Sequence, residues 1–311
     1  MIKVSNTLNS INENARKDAQ SFINSCEDRY KTIISNIAEK ICNKGGHEVV
    51  MLAGPSASGK TTTANKLVEE LKKRGHDACR ISLDDYYLEI KQMPILPDGS
   101  RDFETVDSLD LPLIASTLNE LITTGRSELP IFDFQIPARS KETRKVEIDD
   151  GDVIIVEGLH ALNPKICDQL PAENLFKIYI SVASRIYDEG KLLLRRENIR
   201  LVRRMVRDFQ FRNSPIEHTL SLWKNVRRGE KEYLFPFQDL ADARINSIHM
   251  YEPCVFKDIA LPLLNEIKED SEFYVQTQEI IKAFEKFETI DDNNVPEDSL
   301  LREFLGIRAD G

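Results

Sequence analysis

The most informative stretch of the sequence is a glycine-rich loop that could hold phosphate groups. It reads Gly54-Pro55-Ser56-Ala57-Ser58-Gly59-Lys60-Thr61 and fits the pattern G-x-x-x-x-G-K-[ST]. Its two glycines permit a tight turn in which backbone N–H groups approach phosphate oxygens. Lys60 would neutralise β- and γ-phosphate charge, and the Thr61 hydroxyl can bind Mg²⁺. The loop therefore predicts binding of ATP or GTP with Mg²⁺.

The sequence on either side of this loop supports that interpretation. Val49-Val50-Met51-Leu52 predicts a buried strand before it, and residues 61–74 predict a helix after it. The amino end of that helix would direct free N–H groups and a partial positive charge at the same anion. The competing interpretation is a glycine-rich turn that matches the pattern by chance. The probability of such a chance match in a chain of this length is about one in a hundred.

Two carboxylate-bearing segments follow other predicted strands. The run Val153-Ile154-Ile155-Val156 ends in Glu157, and the run that closes at Leu83 is followed by Asp84 and Asp85. Because the carboxyl ends of parallel strands face one crevice, we expect these groups near the loop. Glu157 would hold Mg²⁺ directly or through water, and one aspartate could accept the proton of an attacking hydroxyl. The alternatives are a strand-ending surface glutamate and an Asp-rich turn, which is common.

Five arginines further along the chain form a third chemical feature. They are Arg200, Arg203, Arg204, Arg207 and Arg212. Their three- and four-residue spacings gather the guanidinium groups on one helix face, and the other face is apolar. This pattern predicts a lid that closes over the triphosphate and stabilises charge during transfer. The alternatives are a solvated helix paired with Glu197 and Asp208, and a nucleic-acid-binding helix. The second is weaker because no aromatic-interleaved basic surface extends beyond this stretch.

Short apolar runs alternate with helical stretches in the middle of the chain, which is typical of a parallel α/β sheet. We expect strands at 48–53, 78–83, 130–134, 152–157 and 177–182. We expect helices at 60–74, 108–124, 164–169, 185–211 and 215–228. Residues 145–148 could add a short antiparallel ribbon with the segment before them. The fold expected is a three-layer α/β P-loop fold with a mainly parallel central sheet.

The chain divides into three segments by pattern. Residues 1–46 predict an N-terminal helical arm, 47–250 the P-loop domain and 251–311 a C-terminal helical tail. The two flanking helical segments are amphipathic, and they either cap the core or form a homodimer interface. Both alternatives stay open at this point.

Composition excludes several classes of protein. The 311 residues include 42 Lys and Arg against 52 Asp and Glu, and a net charge of −10 argues against a general nucleic-acid binder. The longest apolar runs are too short to cross a bilayer, and the first residues show no secretion signal. Five cysteines without disulfide or zinc spacing fit a reduced, cytoplasmic setting. We therefore expect a small-molecule substrate rather than a membrane or nucleic acid as partner.

In this order, the phosphate loop, the strand-end acids and the arginine-rich helix resemble the uridine kinase/phosphoribulokinase family of P-loop kinases. The resemblance covers residues 47–247, roughly two thirds of the chain. It implies an ATP-dependent kinase with a basic lid helix. Glu157 falls on the magnesium carboxylate, and Asp84 falls on the catalytic aspartate, which is also placed near Mg²⁺.

The resemblance also implies a set of site residues. The nucleotide would be bound by Gly54, Ser56, Ala57, Ser58, Gly59, Lys60, Thr61, Thr62 and Arg212. The acceptor would be bound by Tyr87, Glu104, Phe132, Phe134, Arg139 and Arg204. Glu104 falls on the acid that holds the sugar, and Lys60, Arg204 and Arg207 would assist transfer. His160 could touch substrate, although a structural hydrogen bond is an equally good explanation for it.

Two positions depart from the family pattern. Pro137 and Leu222 stand where uridine–cytidine kinases have a histidine and a glutamine that contact the pyrimidine. Neither side chain can form the hydrogen bonds that a pyrimidine edge needs. We expect transfer to a nucleoside 5′-hydroxyl. The alternatives are another sugar or alcohol acceptor, as in phosphoribulokinase or pantothenate kinase, and a nucleotide-dependent switch without catalysis.

Overall fold

The computed structural model describes residues 5–43, 49–134, 136–149 and 151–306. Its strands are β1 (Val49–Ala53), β2 (Ala78–Ser82), β3 (Arg126–Leu129), β4 (Phe132–Asp133), β5 (Ala138–Arg139), β6 (Arg144–Glu147), β7 (Val153–Gly158), β8 (Leu175–Ser181), β9 (Ile186–Asp188), β10 (Lys191–Leu194) and β11 (Ala243–Asn246). Its α-helices are α1 (Leu8–Asn43), α2 (Lys60–Lys72), α3 (Leu111–Thr124), α4 (Pro164–Cys167), α5 (Arg196–Arg212), α6 (Ile216–Tyr233), α7 (Glu252–Leu264), α8 (Tyr274–Phe284) and α9 (Arg302–Leu305).

Five parallel strands form the central sheet in the order β11-β8-β1-β7-β2. All of β1 and β7 is buried, as their unbroken apolar runs require for strands covered on both faces. Val50 and Leu52 join one hydrophobic cluster, whereas Val49 and Met51 join another. The two clusters therefore lie on opposite faces of the sheet, and the expected three-layer α/β architecture is confirmed.

The arm helix α1 packs into the same core as the sheet. It is interrupted at Asp18, which has extended dihedrals (φ −163°, ψ 86°) and caps the following helix by accepting from the Ser21 N–H at 3.0 Å. Phe22 and Tyr30 beyond this break are fully buried. The Tyr30 hydroxyl lies 2.6 Å from the Thr63 hydroxyl on α2, so the arm reaches the helix that begins at the phosphate loop.

The expected helix over 185–211 is wrong over its first eleven residues. Residues Ile186–Asp188 and Lys191–Leu194 form an antiparallel hairpin, and α5 begins only at Arg196. The hairpin turns at Glu189 and Gly190, which both have positive φ (46° and 79°), as a tight two-residue turn requires. The sequence pattern missed this turn because Glu189 is not a residue that usually marks one.

The expected strand over 130–134 is reduced to the two residues of β4. The expected antiparallel ribbon is confirmed, because β6 pairs with the preceding strand β3. The edge strand β11 was not predicted, because four residues with alternating burial give too short a pattern to recognise. Among the helices of the described ranges, none has the length and apolar character needed to cross a membrane.

Truncation of Phe22 tests whether the arm is part of the folded unit. Phe22→Ala should lower the free energy of unfolding by about 3–5 kcal/mol, because it leaves a cavity in the shared core. Urea unfolding of the full chain measures this, and we expect one cooperative transition. Phe209→Ala is the matched control, since Phe209 is 45% exposed and should change stability by about 0.5 kcal/mol or less. Equal effects of the two variants would contradict an arm that is integral to the core.

Candidate active site

The phosphate loop connects β1 to α2 in a shape that its glycines allow. A Cβ at Gly54 would lie 2.4 Å from the Ile180 carbonyl oxygen, so a larger residue would collide with strand β8. Gly59 has φ 88° and immediately precedes the first turn of α2. Ser58 donates its N–H to the Pro55 carbonyl at 3.2 Å, which closes the turn. The first N–H groups of α2 have no intrahelical acceptor and can bind an anion.

Strand register brings the two predicted acids to this loop. Glu157 lies opposite Leu52 of β1 and Ser82 of β2, and Asp84 follows Ser82 by two residues. Thr61 donates its hydroxyl to Glu157 at 3.2 Å. The charge of Lys60 acts on both Glu157 and Asp84. The structure therefore gathers these groups at the carboxyl edge of the sheet.

Burial dominates the electrostatics of these two carboxyls. Glu157 is 4% exposed, and burial raises its pKa while Lys60 opposes that shift. Asp84 opens into a solvent-accessible cleft, yet the surrounding protein displaces enough water to raise its pKa as well. The negative charge of Asp84 raises the pKa of Glu157 further. A cation between the two would relieve this repulsion.

The oxygen set of Thr61, Asp84 and Glu157 fits Mg²⁺ bound together with phosphates. Mg²⁺ is usually held by one or two carboxylates and completed by phosphate oxygens and water. Within the described ranges, no group of three or more His, Cys, Asp or Glu side chains forms a self-sufficient metal site. If Mg²⁺ binds to these three oxygens, phosphate oxygens and water would complete its coordination sphere.

Arg200 and Arg203 do not line the cleft as the lid interpretation expected. Arg200 is 3% exposed and forms a bidentate pair with Glu230 of α6, at 2.6 and 2.8 Å. It also donates to the Ser56 carbonyl at 3.2 Å. Glu230 in turn accepts from the Ser56 N–H at 3.1 Å. The buried charge of Arg200 is balanced by Glu230, as burial requires. Because both side chains also bind the backbone of Ser56, the pair supports the loop from its buried side.

Arg203 has the same supporting role, about a turn further along α5. It is fully buried and pairs with Glu252 of α7 at 2.6 and 2.9 Å. It donates to the Ala57 carbonyl at 3.2 Å. Ala57 has φ 57°, a left-handed conformation that is costly for a residue with a Cβ. The contact helps to hold that conformation in place.

Three other arginines of α5 lie on the cleft side. Arg204 donates to the Ser56 hydroxyl at 3.0 Å. Arg204, Arg207 and Arg212 all pair with Asp208, at 3.2, 2.9 and 3.5 Å. The charges of Arg207 and Arg212 also reach Asp84, where they oppose the rise in its pKa. One row of α5 therefore supports the loop, and another places cations over the predicted site.

Four aromatic rings form the neighbouring wall of the cleft. Tyr87 contacts the rings of Phe103, Phe132 and Phe134, with centroids 5.7, 5.6 and 6.1 Å away. Phe134 is 57% exposed, so this wall is partly open to solvent. Arg139 donates to Asp110 and to the Tyr87 carbonyl, both at 3.2 Å, which fixes the end of the wall.

Glu104 lies between this wall and the arginines of α5. Burial raises its pKa to about 7, against the opposing charge of Arg204. A Cβ at Gly229 of α6 would come within 2.4 Å of the Glu104 Cβ, so the glycine makes room for the acid. His160 lies nearby, 3% exposed, and burial lowers its pKa to about 4, which keeps it neutral. Pro137 is half-buried and Leu222 is 38% exposed.

The model of the phosphoribulokinase/uridine kinase family matches residues 49–252, about two thirds of the chain. This protein belongs to that family. It is a phosphotransferase with an alcohol group as acceptor, built on a P-loop kinase fold. The matched residues include the phosphate loop, both strand-end acids and all six arginines of α5.

Sequence relatives agree with this membership, and a solved structure shares the fold. The chain is 29% identical over 195 residues to the uridine kinase of Bacillus pumilus, a match that covers 62% of this chain and 83% of the relative. It is 28% identical over 197 residues to the uridine kinase of Lactobacillus helveticus, with 62% and 83% covered. A structure from Silicibacter sp. TM1040, assigned as a fructose transport system kinase, has a TM-score of 0.50 at 18% identity. That match covers 68% of this chain and 98% of that one.

Four residues of this kinase site were not found by sequence reasoning. They are Arg80, whose side chain lies 3.5 Å from Glu157, the two buried acids Glu230 and Glu252, and Glu303, which contacts Thr62 at 2.6 Å. Lone charged residues far apart in sequence give no pattern to read. The only sequence signal for the two buried acids was indirect. If any of the five clustered arginines is buried, it needs an acidic partner, and this requirement predicts that such acids exist without saying which residues they are.

Removal of Arg203 should weaken the kinase fold and its loop together. Arg203→Met leaves Glu252 buried without its partner, so the free energy of unfolding should fall by about 3–5 kcal/mol. Urea unfolding measures stability, and calorimetric titration measures ADP binding, which should weaken as well. Arg196→Met, at an exposed position of the same helix, is the control and should change little. The supporting role of Arg203 is refuted if both variants behave alike.

Proposed function

We propose that this protein transfers the γ-phosphoryl group of ATP to the 5′-hydroxyl of a nucleoside of the uridine or cytidine type. The observation that carries the proposal is the convergence of Lys60, Asp84 and Glu157 beside the phosphate loop. The acceptor hydroxyl would lie between Asp84 and the end of the triphosphate. Membership of a kinase family and the uridine kinase relatives support the same reaction class.

On the donor side, the loop and α5 would bind the triphosphate. The backbone N–H groups of residues 57 and 59–62 and the Lys60 ammonium would hold the phosphates, while Arg207 and Arg212 stabilise charge that spreads during transfer. Thr61, Glu157 and Asp84 would hold Mg²⁺, which supplies charge neutralisation on the phosphate oxygens when bound. In phosphoryl transfer, positioning and electrostatics account for nearly all of the catalysis, and these residues provide both.

On the acceptor side, Asp84 would take the proton from the attacking hydroxyl. Its raised pKa makes it a better base than an ordinary aspartate, provided that it stays ionised in the complex. Glu104 would accept hydrogen bonds from the sugar hydroxyls, and Arg204 would lie beside them. The rings of Tyr87, Phe132 and Phe134, together with Arg139 at the end of the wall, would flank the rest of the acceptor.

Pro137 and Leu222 favour a second candidate acceptor. The side chains of these two residues cannot form hydrogen bonds with a substrate. A site that recognises a base by hydrogen bonds needs such groups, because they provide most of its discrimination. Another small sugar or alcohol, such as a sugar phosphate or a pantothenate-like alcohol, is therefore the alternative substrate class for the same chemistry.

A coupled assay of ADP release over a panel of acceptors tests the proposal. The panel comprises uridine, cytidine, sugar phosphates and pantothenate, and a pyrimidine nucleoside should stimulate turnover most. Asp84→Asn should lower kcat by about 10²- to 10⁴-fold, because general-base assistance is lost. Asp85→Asn is the control, since Asp85 accepts from the Phe132 N–H at 3.4 Å and is not assigned a proton-transfer role. ADP release that no acceptor accelerates would count against a kinase acting on these compounds.

The raised pKa of Glu104 predicts a pH dependence. With a pKa of about 7, the carboxylate that accepts from the sugar is lost as pH falls through 7. We expect kcat/KM for the acceptor to rise with pH from 6 to 8, approaching tenfold per unit on the acid side. Initial rates at subsaturating acceptor measure this. In Glu104→Gln, kcat/KM should be lower and should no longer rise over this pH range. If kcat/KM of the wild-type enzyme is constant from pH 6 to 8, the sugar-binding role of Glu104 is contradicted.

A further inference from the structure

A short segment near the end of the described chain, residues 299–306, lies against the phosphate loop. Leu300 approaches the loop so closely that a Cβ at Gly59 would lie 2.5 Å from its Cδ1 atom. Glu303 accepts a hydrogen bond from the Thr62 hydroxyl at 2.6 Å and a second from the Thr62 N–H at 3.4 Å. Neither contact is needed for the assigned chemistry.

Segment 299–306 is held in place by contacts other than Glu303. Arg302 is largely buried and donates to the backbone carbonyls of Asp292 and Val295, at 2.9 and 2.6 Å. The Phe304 ring is fully buried and lies under the Arg203 guanidinium, 5.2 Å from its centroid. The segment can therefore stay docked while the half-buried Glu303 side chain rotates.

Thr62 is a position that a nucleotide phosphate should occupy. Its N–H is the third of α2 and belongs to the free first-turn amides that bind anions. In a loop of this pattern, such amides cradle the α- and β-phosphates. The Glu303 carboxylate takes both donors of Thr62, and it carries the same sign of charge as a phosphate. A carboxylate and a phosphate cannot both accept from the same N–H and O–H without strong repulsion.

We propose that Glu303 is a further residue of the nucleotide site, one that sets its affinity by holding the Thr62 donors until a phosphate displaces its carboxylate. The inference rests on the proposed function, because it requires a nucleotide at this loop. Displacement needs only rotation of one side chain, since Arg302 and Phe304 keep the segment docked. Glu303 thus opposes nucleotide binding while the rest of the segment supports the loop.

Calorimetric titration of ADP, with and without Mg²⁺, into the full chain tests this inference. Glu303→Gln removes the charge that competes with phosphate, so we expect Kd for ADP to fall by about tenfold, equal to about 1.4 kcal/mol. Asp298→Asn is the matched control. This variant removes a carboxylate that lies next to the same segment but pairs with Lys31 at 3.0 Å and Lys66 at 3.6 Å. Its Kd for ADP should stay within about twofold of the wild-type value.

The outcomes separate this inference from the proposed function. Unchanged or weaker ADP binding by Glu303→Gln, with normal wild-type binding, overturns the competition and leaves the kinase proposal standing. Absence of ADP binding in every variant contradicts both. If Glu303→Gln does not fold, Glu303→Asp replaces it, because a side chain shorter by one methylene withdraws the carboxylate from Thr62 and should also tighten binding. Looser binding by that variant would equally refute the competition.

Discussion

Two buried ion pairs behind the phosphate loop determine its shape. Arg200 with Glu230 and Arg203 with Glu252 place their guanidinium groups against the carbonyls of residues 56 and 57. In a trans peptide the C=O and the following N–H point in opposite directions, so fixing these two carbonyls also orients the next two amides. The anion-binding surface of the loop is thus set from its far side, by charges that never meet a ligand.

This arrangement gives α5 two separate tasks. Three- and four-residue spacing puts Arg200 and Arg203 on the buried side, while Arg204 and Arg207 occupy the adjacent row that faces the cleft. Moving the whole helix away would expose two buried acids and release the loop backbone. Any closure over substrate must therefore come from the arginine side chains or from the carboxyl end of the helix, around Arg212.

The sequence predicted the features of this molecule whose signals are local. The phosphate loop, strands β1 and β7 and the start of α2 follow from contiguous patterns, and shared strand polarity places Glu157 near the loop. The hairpin before α5 was misread as helix because its apolar residues also fit a helical period. Long-range contacts, between residues far apart in sequence, determine the partners of the buried acids, the docking of α1 and the contact at Glu303. Residue propensity and hydrophobic periodicity carry no information about such contacts.

Thr63 and Gly59, at the start of α2, each contact a distant region of the chain. The arm reaches Thr63 through Tyr30, and Leu300 covers Gly59. On the ribosome, the loop sequence emerges well before Leu300, its covering residue, which lies 241 positions after Gly59. Long-range closures of this kind form late and slow folding. The phosphate-binding surface therefore reaches its final form only after Leu300 has been synthesised and has docked on Gly59.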